Sequence, residues 1–263
     1  PIVAIATDPE LTSYQISMYH KQDATPDSVK GDISYWLNEY LINLVTDMQN
    51  NRLQEIAQKP NSPFIYGYSY YGDYYVSPTK EAWTNIVVPK DLAGIEEAIT
   101  AIVAETKRMQ QYGFTASEYE RAKADFMKYI ESAYNERNNT ENEKYVDACL
   151  DHFLSNEPMM DIETEYQLYQ QIIPNLPLEA INAMLPEIIP ANNLVMTLMA
   201  PEKEGEVLPT EEELLAMYNN AKNVEVEAYE EEVFDGPIVA KLPKAGKVKS
   251  ETKDEVLGTT EWT

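Results

Sequence analysis

The chain has 263 residues and a formal net charge of −25. So acidic a surface repels phosphate backbones, which excludes general nucleic-acid binding and leaves solubility, or attraction of cationic peptides, as its uses. At 44% hydrophobic residues the chain can bury a core, and its single cysteine, Cys149, excludes an internal disulfide framework.

No apolar run approaches the roughly 20 residues that cross a bilayer. The first residues carry no charged-then-apolar signal segment. They read instead as a short buried strand, Ile2 to Ala6. Asp8 and Pro9 mark a turn. Ser13 to His20 then alternates, with Tyr14, Ile16, Met18 and His20 on one face of an extended segment.

Asp27 to Ala57 reads as one long helix, capped by Thr25 with Pro26 in its first turn. Ile33, Trp36, Leu37, Tyr40, Leu41, Leu44, Val45 and Met48 recur at helical spacing and form one apolar stripe. Pro60 and Pro63 end it. Phe64 to Val76 is dense in tyrosine, which favours strands, and Glu81 to Val88 reads as its antiparallel neighbour.

Asp91 to Tyr112 reads as a helix stopped by Gly113. Thr115 and Glu118 have the spacing of a capping box, which starts a helix that reaches about Glu136. The pattern resumes from Asn142 to Leu154, and Cys149 within it is expected to be a buried structural thiol. Shorter helices are expected near Ile162 to Gln171 and Leu178 to Leu185. Asn193 to Met199 reads as a last buried strand, and Thr210 to Ala221 as a last capped helix.

Beyond Asn223 large apolar side chains become few. Glu225, Glu227, Glu230, Glu231 and Glu232 form an acidic run, and Lys241, Lys244, Lys247, Lys249 and Lys253 follow. Residues 1–221 are therefore expected to form one domain, and 222–263 an extended charged linker or tail toward the next half of a longer polypeptide. Both ends are expected to be cuts through that polypeptide. The order of elements implies an α+β two-layer sandwich, with a mostly antiparallel sheet covered on one face by helices.

Three segments, in order and at suitable spacing, carry a resemblance over about residues 1 to 221. They are Thr7 to Glu10 before the alternating strand, Asn51 to Ala57 followed by Ser62 to Phe64, and Tyr112 to Lys123. Together they resemble the pitrilysin/insulinase family of zinc metallopeptidases, the inverted zincins. The resemblance implies a LuxS/metallohydrolase-like, mitochondrial-processing-peptidase-like fold. It further implies the second, non-catalytic type of domain in a long bacterial member, the one called the peptidase C-terminal domain. Zinc would then sit only in an upstream domain of the parent, and this piece would hold no cofactor.

The residues agree with that implication. A zinc site of the inverted type needs two imidazoles one helical turn apart with a Glu between them. The chain has two histidines, His20 and His152, far apart in sequence and in no such motif. His20 reads as a polar residue at a strand end, and His152 as a surface or half-buried one. For Glu118 and Glu120, cap and solvent roles suffice. No catalytic or metal residue is therefore named.

The resemblance also implies a comparison: non-metal domains of the family often carry an Arg and a Tyr seven apart, and in some members those side chains touch the substrate backbone. Here Lys59 and Tyr66 have the spacing, the Arg is replaced, and Arg52 is the nearest. Arg52, Tyr66 and Tyr68 are the candidate substrate-binding residues. The tyrosines could line a chamber for an extended peptide, or pack beneath helices in a half-buried strand. The expected partners are neighbouring domains of the same parent chain and a peptide substrate, with no nucleic acid and no transmembrane segment. A free-standing peptide-binding or assembly module without protease activity is the alternative. The resemblance suits a bacterial periplasm or cell envelope, although no residue read here fixes a compartment.

Overall fold

The computed structural model describes residues 1–231, 239, 241, 243, 244 and 246–262, so Glu232 of the acidic run lies outside the described residues. The described chain forms two units, Pro1–Tyr229 and the short Glu230–Thr263.

In the first unit β1 (Ile2–Asp8), β2 (Gln15–Asp23), β3 (Phe64–Asp73), β4 (Lys80–Pro89) and β5 (Leu194–Pro201) form one sheet in the order β1-β5-β2-β4-β3. β1 runs parallel to β5, and the other neighbours are antiparallel. The helices are α1 (Ile33–Gln58), α2 (Ile95–Tyr112), α3 (Ala116–Asn135), α4 (Asn142–Ser155), α5 (Ile162–Ile172), α6 (Leu178–Met184) and α7 (Glu211–Asn223). This is the α+β layering that the sequence implies.

Strand alternation sorts the sheet into two faces. Ile16 and Met18 of β2, Val87 of β4, and Leu194, Met196 and Leu198 of β5 enter one buried cluster with Ile95, Ile99 and Ile102 of α2 and Leu214 and Tyr218 of α7. A second cluster joins the first half of α1 to α3, α5 and α6 through Trp36, Tyr40, Tyr119, Tyr169 and Ile181. Both clusters lie on the helix-covered side. Phe126 packs edge to face on Tyr40 at 4.6 Å and on Tyr169 at 4.7 Å, and Tyr40 and Tyr169 meet tilted at 5.3 Å, which fixes the second cluster's geometry beyond mere burial.

The long first helix starts later than expected. Asp27–Val29 is a separate 3₁₀ turn, and α1 begins at Ile33 with Asp32 at its N-cap position. Thr25 is not free to cap, because its backbone N–H (2.8 Å) and its hydroxyl (3.3 Å) both donate to the Glu81 carboxylate. The capping box at α3 is present as expected: Thr115 Oγ1 accepts from Glu118 N–H, and Glu118 reaches back to Thr115 N–H. Thr210 and Glu213 repeat the device at α7.

Cys149 is exposed, not buried. It sits on α4, a helix with no buried residue, so its apolar periodicity faces outward. Residues 224–229 do not leave the first unit. Lys107 Nζ donates to the carbonyls of Lys222 and Val224, Arg108 Nε donates to that of Glu227, and Tyr112 Oη donates to that of Val226.

The second unit contains a hairpin, β6 (Glu251–Asp254) with β7 (Thr259–Trp262), which the charge-rich composition of the tail does not announce. Asp254 Oδ1 accepts from the N–H groups of Val256 and Leu257 in its turn, and Gly258 takes a positive φ of 64°. Among the described residues no helix is long and apolar enough to cross a membrane.

Candidate functional site: an aromatic sheet face

The face of the sheet opposite the two clusters is built from the alternate residues. Tyr66, Tyr68 and Tyr70 of β3 share it, and register sets Tyr68 beside Ile86 and Tyr70 beside Thr84. The rows continue across β2, where Ser17 faces Ile86 and Tyr19 faces Thr84. The rings of Tyr66, Tyr68 and Tyr70 therefore do not pack beneath helices, whereas Tyr71, of opposite parity, packs against the second cluster. Period-two alternation brings the three together on the other side.

The three rings stack along the strand. Tyr66 and Tyr68 lie 6.2 Å apart with planes 13° from parallel, and Tyr68 and Tyr70 lie 5.9 Å apart at 29°. Tyr66 is 51% exposed and Tyr68 37%, so two of the three ring faces are open to a partner. Beside this row Tyr19 packs edge-on against Tyr74 at 5.5 Å and Tyr75 at 6.0 Å. Burial is the main force pushing the Tyr19 hydroxyl up to about 12, and burial likewise raises Tyr68. Tyr19 and Tyr68 therefore stay neutral at physiological pH. The cluster can offer apolar ring faces and hydroxyls, which suits contact with an extended chain.

β3 is an edge strand, yet its edge is not open along its whole length. The Asn50 side chain, on α1, accepts from Ser69 N–H at 2.8 Å and donates to Ser69 C=O at 2.9 Å. The amide copies a neighbouring strand and closes the edge at that residue. A peptide that used this region would meet ring faces, not a free backbone ladder at Ser69.

Arg52, the third candidate, is turned inward. It is 2% exposed. Its Nε and Nη2 donate to the two oxygens of Glu118 at 2.6 and 2.8 Å, Nη2 also donates to Gly113 C=O at 2.9 Å, and Nη1 lies 3.4 Å from Glu105. Phe114 and Tyr229 stack on the guanidinium at 4.7 and 4.3 Å. An arginine so enclosed is out of reach of a peptide, and the expectation of substrate contact by Arg52 is corrected to an internal clamp. Glu118 is corrected with it: it caps α3 as expected, but it is buried and not solvated. Burial raises the Glu105 carboxyl, against the pull of Arg108 and Arg52. Glu120 is exposed and pairs with Lys123 at 2.6 Å.

The histidines are apart in the fold as well. His20 lies within β2, not at its end, and is 7% exposed. Burial lowers its pKa to about 4, the Pro190 carbonyl opposes the shift, and the Lys222 charge adds to it. His152 is exposed on α4, with Nδ1 2.8 Å from Glu157 C=O. Among the described residues no three His, Cys, Asp or Glu side chains converge as metal ligands.

No protein-family model matches the chain. An Arabidopsis thaliana protein described as zinc protease PQQL-like is 26% identical over 157 residues, which is 59% of this chain and 16% of that protein. The first half of the periplasmic protease PqqL from Escherichia coli has the same fold, with a TM-score of 0.71 at 17% identity over 89% of this chain and 48% of that structure. A peptidase M16 inactive domain from Pseudomonas fluorescens aligns with a TM-score of 0.50 at 14% identity, over 79% of this chain and 46% of that structure. The chain spans about half or less of each of these relatives.

Proposed function

We propose that this chain, whose sequence and structure neighbours are PqqL-like zinc proteases and insulinase-family peptidases with an inactive domain among them, is a non-catalytic domain of such a protease. Its task is to supply chamber wall and a docking surface for a peptide substrate. Its partners are neighbouring domains of the same parent chain. The parent is a zinc-dependent endopeptidase, with zinc held by another domain and no cofactor held here. A bacterial periplasm or cell envelope is the proposed compartment, by likeness to a protease described as periplasmic.

The observation that carries the reading is the stacked row of Tyr66, Tyr68 and Tyr70 on the face of the sheet away from the helical clusters. Open ring faces spaced along a strand match the spacing of side chains on an extended peptide.

The test is the double variant Tyr66→Ala, Tyr68→Ala, made in the full parent protein. Both side chains are exposed, so the fold should tolerate the change. The expected outcome is a rise in KM for an extended peptide with zinc content unchanged. An unaltered KM would remove the docking role. Zinc-dependent turnover by the isolated chain would remove the non-catalytic assignment.

A further inference from the structure

On the helix-covered side of the sheet, away from the tyrosine row, a cavity of about 250 Å3 lies among β2, β4, α2 and α7. Its polar lining includes His20, Lys107, Gln110, Tyr218 and Lys222, and Val103 and Ile189 add apolar wall. No Asp or Glu lines it, in a chain whose net charge is −25.

The two ammonium groups are not neutralised there. Lys107 Nζ donates to two neutral carbonyls, of Lys222 at 2.9 Å and Val224 at 2.8 Å. Lys222 Nζ lies over the Tyr218 ring at 5.1 Å. Neither lysine has a carboxylate partner among the described residues.

The imidazole of His20 is also incompletely satisfied. Its Nε2 has a long 3.4 Å contact with Tyr218 Oη, and its buried Nδ1 makes no hydrogen bond of ordinary geometry, the Pro190 backbone being the other polar group that acts on the ring. A buried polar atom without a partner is costly and uncommon, and it marks a place where a ligand or water completes the set. Asn85 does not compete for that role. Its amide is used within the protein, accepting from Ser69 and Trp83 and donating to Thr106.

We infer that this cavity binds a small organic carboxylate. The anionic head would be held by the donors of Lys107, Lys222 and Gln110, and the apolar body would lie against Val103 and Ile189. Charge-assisted donors favour an anion over a neutral ligand. The apolar wall favours an organic acid over a bare inorganic ion. The size suits a ligand of amino-acid scale, below the usual range of drug-sized pockets. The inference is independent of the tyrosine face and of any role in a protease.

The chain's two histidines make the test direct, because their ring-proton NMR signals serve as one probe inside the cavity and one outside. The full chain would be titrated with phenylacetate, with benzylamine as a cation of similar shape, and with inorganic phosphate. The expected result is a saturable shift of the His20 signal with phenylacetate, half complete in the range of about 1 mM. His152 should stay still, and benzylamine should leave both signals unmoved.

Lys222→Ala, at an exposed position, should weaken phenylacetate roughly tenfold by removing one charged donor. Gln110→Glu, which places a carboxylate in the lining, should weaken it further and gives a second variant if the first does not fold. A His20 signal that ignores phenylacetate, or that responds equally to benzylamine or to phosphate, would overturn the inference. So would unchanged affinity in both folded variants.

Discussion

Arg52 and Glu118 meet as a two-pronged ion pair in the interior, 66 residues apart in sequence, with both side chains 5% exposed or less. Two parallel charge-assisted bonds align the guanidinium plane with the carboxylate. The pair ties the last third of α1 to the first turn of α3, and Gly113 C=O joins it.

Removing one partner of such a pair strands the other charge in a low-dielectric site, and typical losses are about 3–5 kcal/mol. Arg52→Ala is therefore expected to lower unfolding free energy by that amount, as read from urea denaturation. Arg52→Lys should recover only part, because an ammonium cannot present the same fork. If Arg52→Ala were near neutral, the clamp would have no structural weight.

Gly113 sits where a side chain cannot. Its φ is 72°, and a Cβ placed there would lie 2.5 Å from the Asn182 side chain. Asn182 itself accepts from Phe114 N–H at 2.9 Å and donates to Phe114 C=O at 3.1 Å. Gly113→Ala would strain the backbone and displace this asparagine from both bonds. The expected loss is about 2–4 kcal/mol, from a positive-φ extended conformation (ψ −161°) open essentially to glycine together with two broken hydrogen bonds. Thermal and urea unfolding of the variant give the number.

Asn50 uses the same device on Ser69 that Asn182 uses on Phe114. Asn50→Ala should leave the Ser69 N–H and C=O without protein partners at the sheet edge. The expected cost is about 1–2 kcal/mol, with faster amide hydrogen exchange at Ser69 than in the parent. An unchanged exchange rate there would mean that the edge is closed by something else.

The elements were legible in the sequence where period and punctuation agree. The stripe from Trp36 to Met48 marks α1, and Thr115 with Glu118 marks the start of α3. Arg52 and Glu118 were legible only one at a time and Asn50 not at all, because their partners are remote and no local spacing links them. Alternation groups Tyr66, Tyr68 and Tyr70 on one face, but it does not say which face the helices cover. Cys149 misled for a related reason. Helical apolar spacing in Tyr145, Val146, Cys149, Leu150 and Phe153 signals a face, and burial depends on whether another element packs on it. On α4 none of the described residues is buried.

His20 and Glu39 push stability in opposite directions over neighbouring pH ranges. The folded-state pKa of His20 is lowered from 6.5 to about 4, chiefly by burial. Between those values the unfolded chain binds the proton more readily, so stability is full above about pH 6.5 and falls as pH drops through 4. The loss is on the order of 3 kcal/mol for a shift of this size. Glu39 is raised from 4.5 to about 7, first by burial and then by the charges of Glu157 and Glu81. Its contribution is present below pH 4.5 and is lost as pH rises through 7. Unfolding free energy measured from pH 4 to 8 should therefore lose its acid-side fall in His20→Gln, apart from what other carboxylates contribute. Glu39→Gln should instead gain stability at pH 8 relative to pH 5. If His20→Gln kept the acid-side slope of the parent, the buried neutral imidazole would not be its source.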